Sequence, residues 1–199
     1  MLSGFSKKIA FSLFEKDKRY PIEVYIYGVE LLISSLTGTL FILIEAVLFN
    51  ALPESIIYLI SLAAVRVFTG GYHAETYLKC NIITVLSFTF SLLVYKLLSN
   101  YLFVCRPFLI AFVFLISVIL FVKYSPMENE YKPIAANDIM KYKIISLVIL
   151  TIISAINVIG YILNKEITVI MLFSLLVEDI AMIVKLIKDR RQKYEEFER

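Results

Sequence analysis

The feature that most constrains this chain is a series of apolar runs, too many and too long to be buried in a core of its own. Ile, Leu, Val and Phe dominate residues 22–49, 53–67, 82–98, 107–122, 144–163 and 167–187. A helix needs roughly 20 apolar residues to cross a hydrocarbon core, and in lipid a backbone must satisfy its own N–H and C=O groups. The chain is 60% hydrophobic and 19% charged, against about 45–50% apolar and about 25% charged for a soluble domain. These observations predict an all-α membrane protein, a single polytopic domain over 1–199 with about six transmembrane helices and the lipid bilayer as its first partner. A net charge of +3 is too small to argue for a nucleic-acid partner. No cleavable signal peptide is expected, because the first residues lack a short apolar core and a small-residue cleavage site.

Residues 2–16 read differently. Leu2, Phe5, Ile9 and Leu13 recur at helical spacing and the lysines Lys7, Lys8 and Lys16 fall elsewhere, which predicts an amphipathic interfacial helix lying in the headgroup region. A helix packed on a neighbouring loop is the plainer alternative. Basic residues gather in alternate loops: Lys7 to Arg19, Arg66 and Lys79, Lys123 to Lys143, and the tail from Lys188. The other loops hold Arg106, Lys165 and little else. With six spans, the positive-inside bias places both termini and the loop after the second span in the cytoplasm.

That loop is where the oil stops. Residues 66–81, RVFTGGYHAETYLKCN, carry an arginine, a glycine pair, the only histidine of the chain and one of its two cysteines. A cysteine attacks as its thiolate, and an imidazole is the usual acceptor of its proton. On one straight helix His73 and Cys80 would share a face but lie about 10.5 Å apart, too far for direct proton transfer, which needs about 2.6–3.2 Å. A break between them is therefore required. Gly70-Gly71 supplies backbone freedom, and Thr76 is positioned to cap the following helix and leave Cys80 in its first turns, where the helix dipole favours a thiolate. Arg66 and backbone N–H groups near Cys80 are candidate donors to an oxyanion. Glu75 and Asn81 are both candidates to orient the histidine. The bland reading is an interfacial histidine beside a small buried hydrophobe. Two cysteines and one histidine exclude an all-His/Cys zinc site, and no metal or other cofactor is expected.

Arg66, Gly70-Gly71, His73-Ala74 and Cys80 in this spacing resemble the accessory gene regulator B (AgrB) family, bacterial membrane-embedded cysteine endopeptidases that process a quorum-sensing propeptide. The resemblance implies that His73 and Cys80 are the catalytic pair, while Arg66 and Gly71 carry over only as positions the family retains. It implies a multi-pass protein of the bacterial cell membrane and an AgrD-like propeptide partner, cut near its C-terminus through an acyl-enzyme thioester that the peptide's own Cys or Ser captures as a thiolactone or lactone. Tyr124-Ser125-Pro126 and Lys132-Pro133-Ile134 are similar to the family's later loop, in which Glu128 and Asn129 fit loosely. Lys132, Lys141 and Lys143 are then candidates for docking an acidic propeptide tail, although the positive-inside bias accounts for the same lysines.

Charges within spans are costly and face protein or water, so Glu178 and Asp179 are expected to pair with Arg66 or a lysine, or to line a peptide groove. Glu30 and Glu178/Asp179 also suit a rival reading, a small polytopic peptide transporter or exporter without protease activity; a non-catalytic scaffold is a third. Cys105 falls near the opposite face from Cys80 and reads as structural. Six short spans with one small site are compatible with a homodimer.

Overall fold

The computed structural model describes residues 2–16, 21–72, 76–127 and 136–197. Among them there is no β-strand. The helices are α1 (Leu2–Lys16), α2 (Ile22–Leu48), α3 (Leu52–Thr69), α4 (Tyr77–Tyr124), α5 (Ala136–Ile162) and α6 (Val169–Phe197), with a single 3-10 turn, Glu166–Thr168, before α6. Six segments are long and apolar enough to cross a membrane, two of them within α4: Tyr77–Leu98 and Val104–Tyr124.

A straight helix as long as α4 would extend about 72 Å, more than twice the hydrocarbon core. It cannot be straight, because Cys80 near its start and Met127 just past its end line the same cavity. The contacts fix the path. Tyr77 Oη donates to Glu30 Oε2 at 3.1 Å and Lys96 Nζ to the Phe49 carbonyl at 2.6 Å, so the first arm runs parallel to α2. Arg106 then bonds the Asn157 carbonyl and Thr168 Oγ1, and the second arm returns to place Ser125 beside Phe68. The reversal lies between Leu98 and Val104, and Pro107 sits within the helix rather than at the start of a new one. Every span thus alternates in direction.

Two clusters make the core. One joins Val65, Val113, Phe121, Leu150 and Leu175; the other joins Ile42, Tyr58, Leu62, Phe88 and Ile170. Helices α3 and α6 contribute to both and form the spine. The outer faces keep Leu36, Leu40, Phe108, Phe112 and Leu115 more than half exposed, a belt that suits lipid. Gly38 is buried on α2, and a Cβ there would lie 2.9 Å from Asn81 Oδ1. Its role is to let α4 approach α2 closely.

Helix α1 folds back along the first turns of α2. Phe14 packs edge-on to Tyr25 at 5.9 Å, and Ser6 Oγ donates to Glu30 Oε1 at 3.2 Å. The buried stripe is Ser6 and Ala10, while Ile9, Phe11 and Leu13 stay exposed. Of the apolar stripe expected from sequence, Ile9 and Leu13 are therefore turned away from the protein, the placement an interfacial helix requires.

Candidate active site

Helix α3 ends at Thr69 because Gly70 leaves the helical region at φ +73, followed by Gly71 at φ +144. Side chains tolerate neither angle well. Space excludes them too: a Cβ on Gly70 would lie 2.5 Å from the Met127 carbonyl oxygen, and one on Gly71 3.1 Å from Glu178 Oε1. The segment after α4 is seated on this turn, with Met127 N–H donating to the Thr69 carbonyl at 2.8 Å.

Arg66 occupies the last turn of α3. Its Nη2 donates to the Tyr72 carbonyl at 2.7 Å, and its Nη1 lies 3.9 Å from Glu178 Oε2. Glu178 has no exposed surface and its Oε1 accepts from Thr69 Oγ1 at 2.7 Å. Tyr72 N–H reaches the Ala181 carbonyl, one turn further along α6. Arg66, Thr69, Tyr72 and Glu178 together clamp the glycine turn between α3 and α6. Arg66 is one of several partners the sequence leaves open for Glu178 and Asp179, and Glu178 is the one that takes it; the sequence gives no sign of Thr69 or Tyr72. Asp179, the other acidic residue of the pair, faces elsewhere and accepts from Ser117 Oγ at 2.7 Å.

Thr76 caps α4, its Oγ1 accepting from Lys79 N–H at 3.3 Å, and Cys80 N–H closes the first helical turn onto the Thr76 carbonyl at 3.0 Å. Cys80 is thus the fourth residue of the helix, half-buried and free of any disulfide. The helix begins five residues ahead of the span expected from apolarity alone, since Lys79, Cys80 and Asn81 belong to its first turns. Asn81 Oδ1 accepts from Ser34 Oγ at 3.2 Å, which directs that side chain to α2.

The cysteine lies between two cavities. The larger, about 790 Å³, runs between α2, α3 and the first arm of α4; Arg66, Gly70, Gly71 and Cys80 all line it, with Glu23 and Glu30 further along α2. The smaller, about 190 Å³, lies between α4 and α6 and shares Arg66 and Cys80 with the first. Six of the residues singled out from sequence, Glu30, Arg66, Gly70, Gly71, Cys80 and Asn81, are therefore brought together on the larger cavity. Lys141 and Lys143 stand in the first turns of α5 at the same end of the bundle but line neither cavity. His73, Glu75, Glu128, Asn129 and Lys132 lie outside the described residues. Among the described residues no group of His, Cys, Asp and Glu could hold a metal ion.

With this geometry in hand, the comparisons carry weight over nearly the whole bundle. The profile of the Accessory gene regulator B family matches residues 6–184. An AgrB-like protein 2 of Clostridium perfringens strain 13 is 29% identical over 176 residues, covering 82% of this chain and 78% of the relative. An AgrB-like protein of Clostridium perfringens strain SM101 is 30% identical over 166 residues, covering 79% and 74%. No solved structure matches the chain. A match that takes in α2 to α5 and the intramembrane part of α6, the glycine turn and Cys80 included, makes this chain a member of the Accessory gene regulator B family.

Proposed function

We propose that this protein is a membrane-embedded cysteine endopeptidase that cuts an AgrD-like propeptide near its C-terminal end and promotes its cyclisation. Family membership gives it a role in the agr quorum-sensing system and a propeptide partner. The finer reading is carried by one observation: a thiol in the first turn of a capped helix, opening onto a cavity shared with Arg66 and the glycine turn. The cavity follows α2 from Glu23 to Ile42, about 28 Å of helix, which is room for roughly eight extended peptide residues.

In this mechanism the Cys80 thiolate attacks the scissile carbonyl. The C–N bond breaks, the C-terminal fragment leaves as an amine, and the peptide remains as a thioester on Cys80. His73, assigned by the family pattern, takes the thiol proton and returns it to the departing amine. The peptide's internal Cys or Ser then attacks the thioester, closing the ring and freeing Cys80. Thioester-for-thioester exchange conserves bond type, so a site poor in water favours cyclisation over hydrolysis. The Arg66 guanidinium already serves the Tyr72 carbonyl and Glu178, and its first task is to hold the turn; the N–H groups of Lys79 and Cys80 are likewise taken, by Thr76. The positive-inside bias assigns the end bearing Gly70 and Cys80 to the cytoplasm. Lys132, Lys141 and Lys143 remain candidates for holding the propeptide's acidic tail at that face.

The rival transporter reading loses support because Glu30 and Glu178 are both hydrogen-bonded within the chain. The test is intact-mass detection of the propeptide-derived acyl group on Cys80 in purified protein. Cys80→Ala should give none at any pH. His73→Ala should give little, since the thiol then lacks the base that takes its proton. Release of the C-terminal fragment by Cys80→Ala would end this reading.

A further inference from the structure

Cys80, with Leu62, Arg66 and Thr84, lines both cavities, and the smaller is the more apolar of the two. The larger sets carboxylates, hydroxyls and Arg66 among apolar residues such as Ile42, Leu59 and Val67. The smaller is lined by Leu62, Tyr72, Val177 and Ala181 and rimmed by Ile83, Ile180 and Val184, which are part-exposed on the outer face of the bundle. Its polar members are few and mostly occupied: Thr84 Oγ1 donates to the Cys80 carbonyl at 2.9 Å, Ser87 Oγ to the Ile83 carbonyl at 2.7 Å, and Arg66 is held as described. Cys80, Thr84 and Ser87 follow one another down a single face of α4, so the slot descends about 10.5 Å from the thiol. A peptide in the large cavity with its carbonyl at Cys80 must send the adjoining side chain somewhere, and this slot shares Cys80 with that cavity.

We propose that the slot is a specificity pocket for one bulky apolar side chain, aliphatic or phenyl, on the residue whose carbonyl Cys80 attacks. This rests on Cys80 being the nucleophile. The volume suits the occupant: a cavity of about 150 Å³ lined by aliphatic and aromatic groups takes up benzene, and this one holds about 190 Å³. Ser87 forms its floor, and Ala181 the wall facing Gly71. One methylene in such a pocket changes selectivity by roughly tenfold or more.

The test uses acetyl-aminoacyl chloromethyl ketones of Ala, Leu and Phe on the Cys105→Ala protein, in which Cys80 is the sole thiol. The thiolate displaces chloride from the methylene carbon: a C–S bond forms, the C–Cl bond breaks, and the thiol proton passes to buffer. The Leu and Phe reagents should alkylate Cys80 about tenfold or more faster than the Ala reagent. Ser87→Phe, and independently Ala181→Leu, should bring that ratio close to one; a ratio cancels any general change in thiol reactivity. Equal rates for the three reagents on the otherwise native chain overturn the proposal, and that arm needs no slot variant to fold. A preference seen in detergent but absent in phospholipid nanodiscs also overturns it, because hydrocarbon chains would then be the occupants. Propeptide cleavage is scored separately, so a failed slot and a failed protease reading give different results.

Discussion

The two ends of this bundle each hold an arginine at a bend, and they use it in opposite ways. At the end bearing the glycine turn, Arg66 keeps about a quarter of its side chain exposed, faces two cavities, and is held by a buried carboxylate and one carbonyl. At the far end Arg106 has no exposed surface. It bonds the Asn157 carbonyl and Thr168 Oγ1 and stacks near Tyr161, with its ring 6.0 Å away. Arg106 therefore ties the reversal of α4 to the α5–α6 turn. Arg66 holds a turn beside open space. Charge alone does not separate a staple from a site; the adjacent volume and the kind of partner do.

The sharpest way to break this comparison is through the two cysteines, one near each end. Cys80→Ala should abolish propeptide processing, below about a thousandth of native activity, and leave thermal stability within about 0.5 kcal/mol, as for a surface-like substitution. Cys105→Ala should change neither. If Cys105→Ala proved the inactive variant, the far end would be the working one. The arginines provide the second test. Arg106→Leu should lower unfolding stability by the worth of its interhelical hydrogen bonds, about 0.6–2 kcal/mol each, with activity per folded molecule retained. Arg66→Leu should cut acylation of Cys80 about tenfold or more, because the turn loses its clamp. Denaturation in mixed micelles and acyl-enzyme mass spectrometry read the two effects apart; the same profile for both variants would erase the distinction drawn above.

Much of this contrast was legible in the sequence, but unevenly. The six spans follow from apolar length, and Arg66, Gly70, Gly71 and Cys80 stood out because each is the wrong residue for a lipid-facing run. Among the described residues Arg66, Lys79, Lys123, Lys141 and Lys143 gather at one end of the bundle, and Lys96 joins Arg106 and Lys165 at the other. Two things were out of reach. One is that the chain turns between the third and fourth apolar runs, 82–98 and 107–122, without leaving helix: the segment carries no glycine, and Pro107 inside α4 costs one backbone hydrogen bond that no local pattern reveals. The clamp depends on Thr69 meeting Glu178 across 109 positions of chain. A buried acid in a span signals that some partner exists, but only packing says which.

The glycine turn sharpens the comparison further. Gly70→Ala meets both an unfavourable φ and the Met127 carbonyl, so a cost of about 1–3 kcal/mol is expected, together with loss of acylation as Met127 is displaced. Gly28→Ala, on α2 where a Cβ meets nothing within 4 Å, should be neutral or stabilising by about 0.5–1 kcal/mol. A silent Gly70→Ala would show that the close approach of Met127 is dispensable.

The smallest effect concerns how helices begin at the two ends. Helix α3 starts at the far end from Ala51, without a side-chain cap but with Pro53 in its first turn. Helix α4 starts at the site end from Thr76, whose Oγ1 holds Lys79 N–H. The difference fits their tasks: the start of α3 is fixed by burial of Ala51 and Tyr58, whereas the start of α4 is exposed yet must keep Cys80 in register. Losing a threonine cap costs typically about 1 kcal/mol, and the 3.3 Å bond argues for no more. One kilocalorie is roughly a fivefold change in a local equilibrium. Thr76→Ala should therefore speed amide hydrogen exchange at Leu78–Cys80 about fivefold, slow acylation by a similar factor and leave global unfolding unchanged, while Thr76→Ser restores all but a little. Faster exchange without slower acylation would mean that Cys80 does not depend on the first turn of α4, and the helix start would then be no more a part of the site than the start of α3.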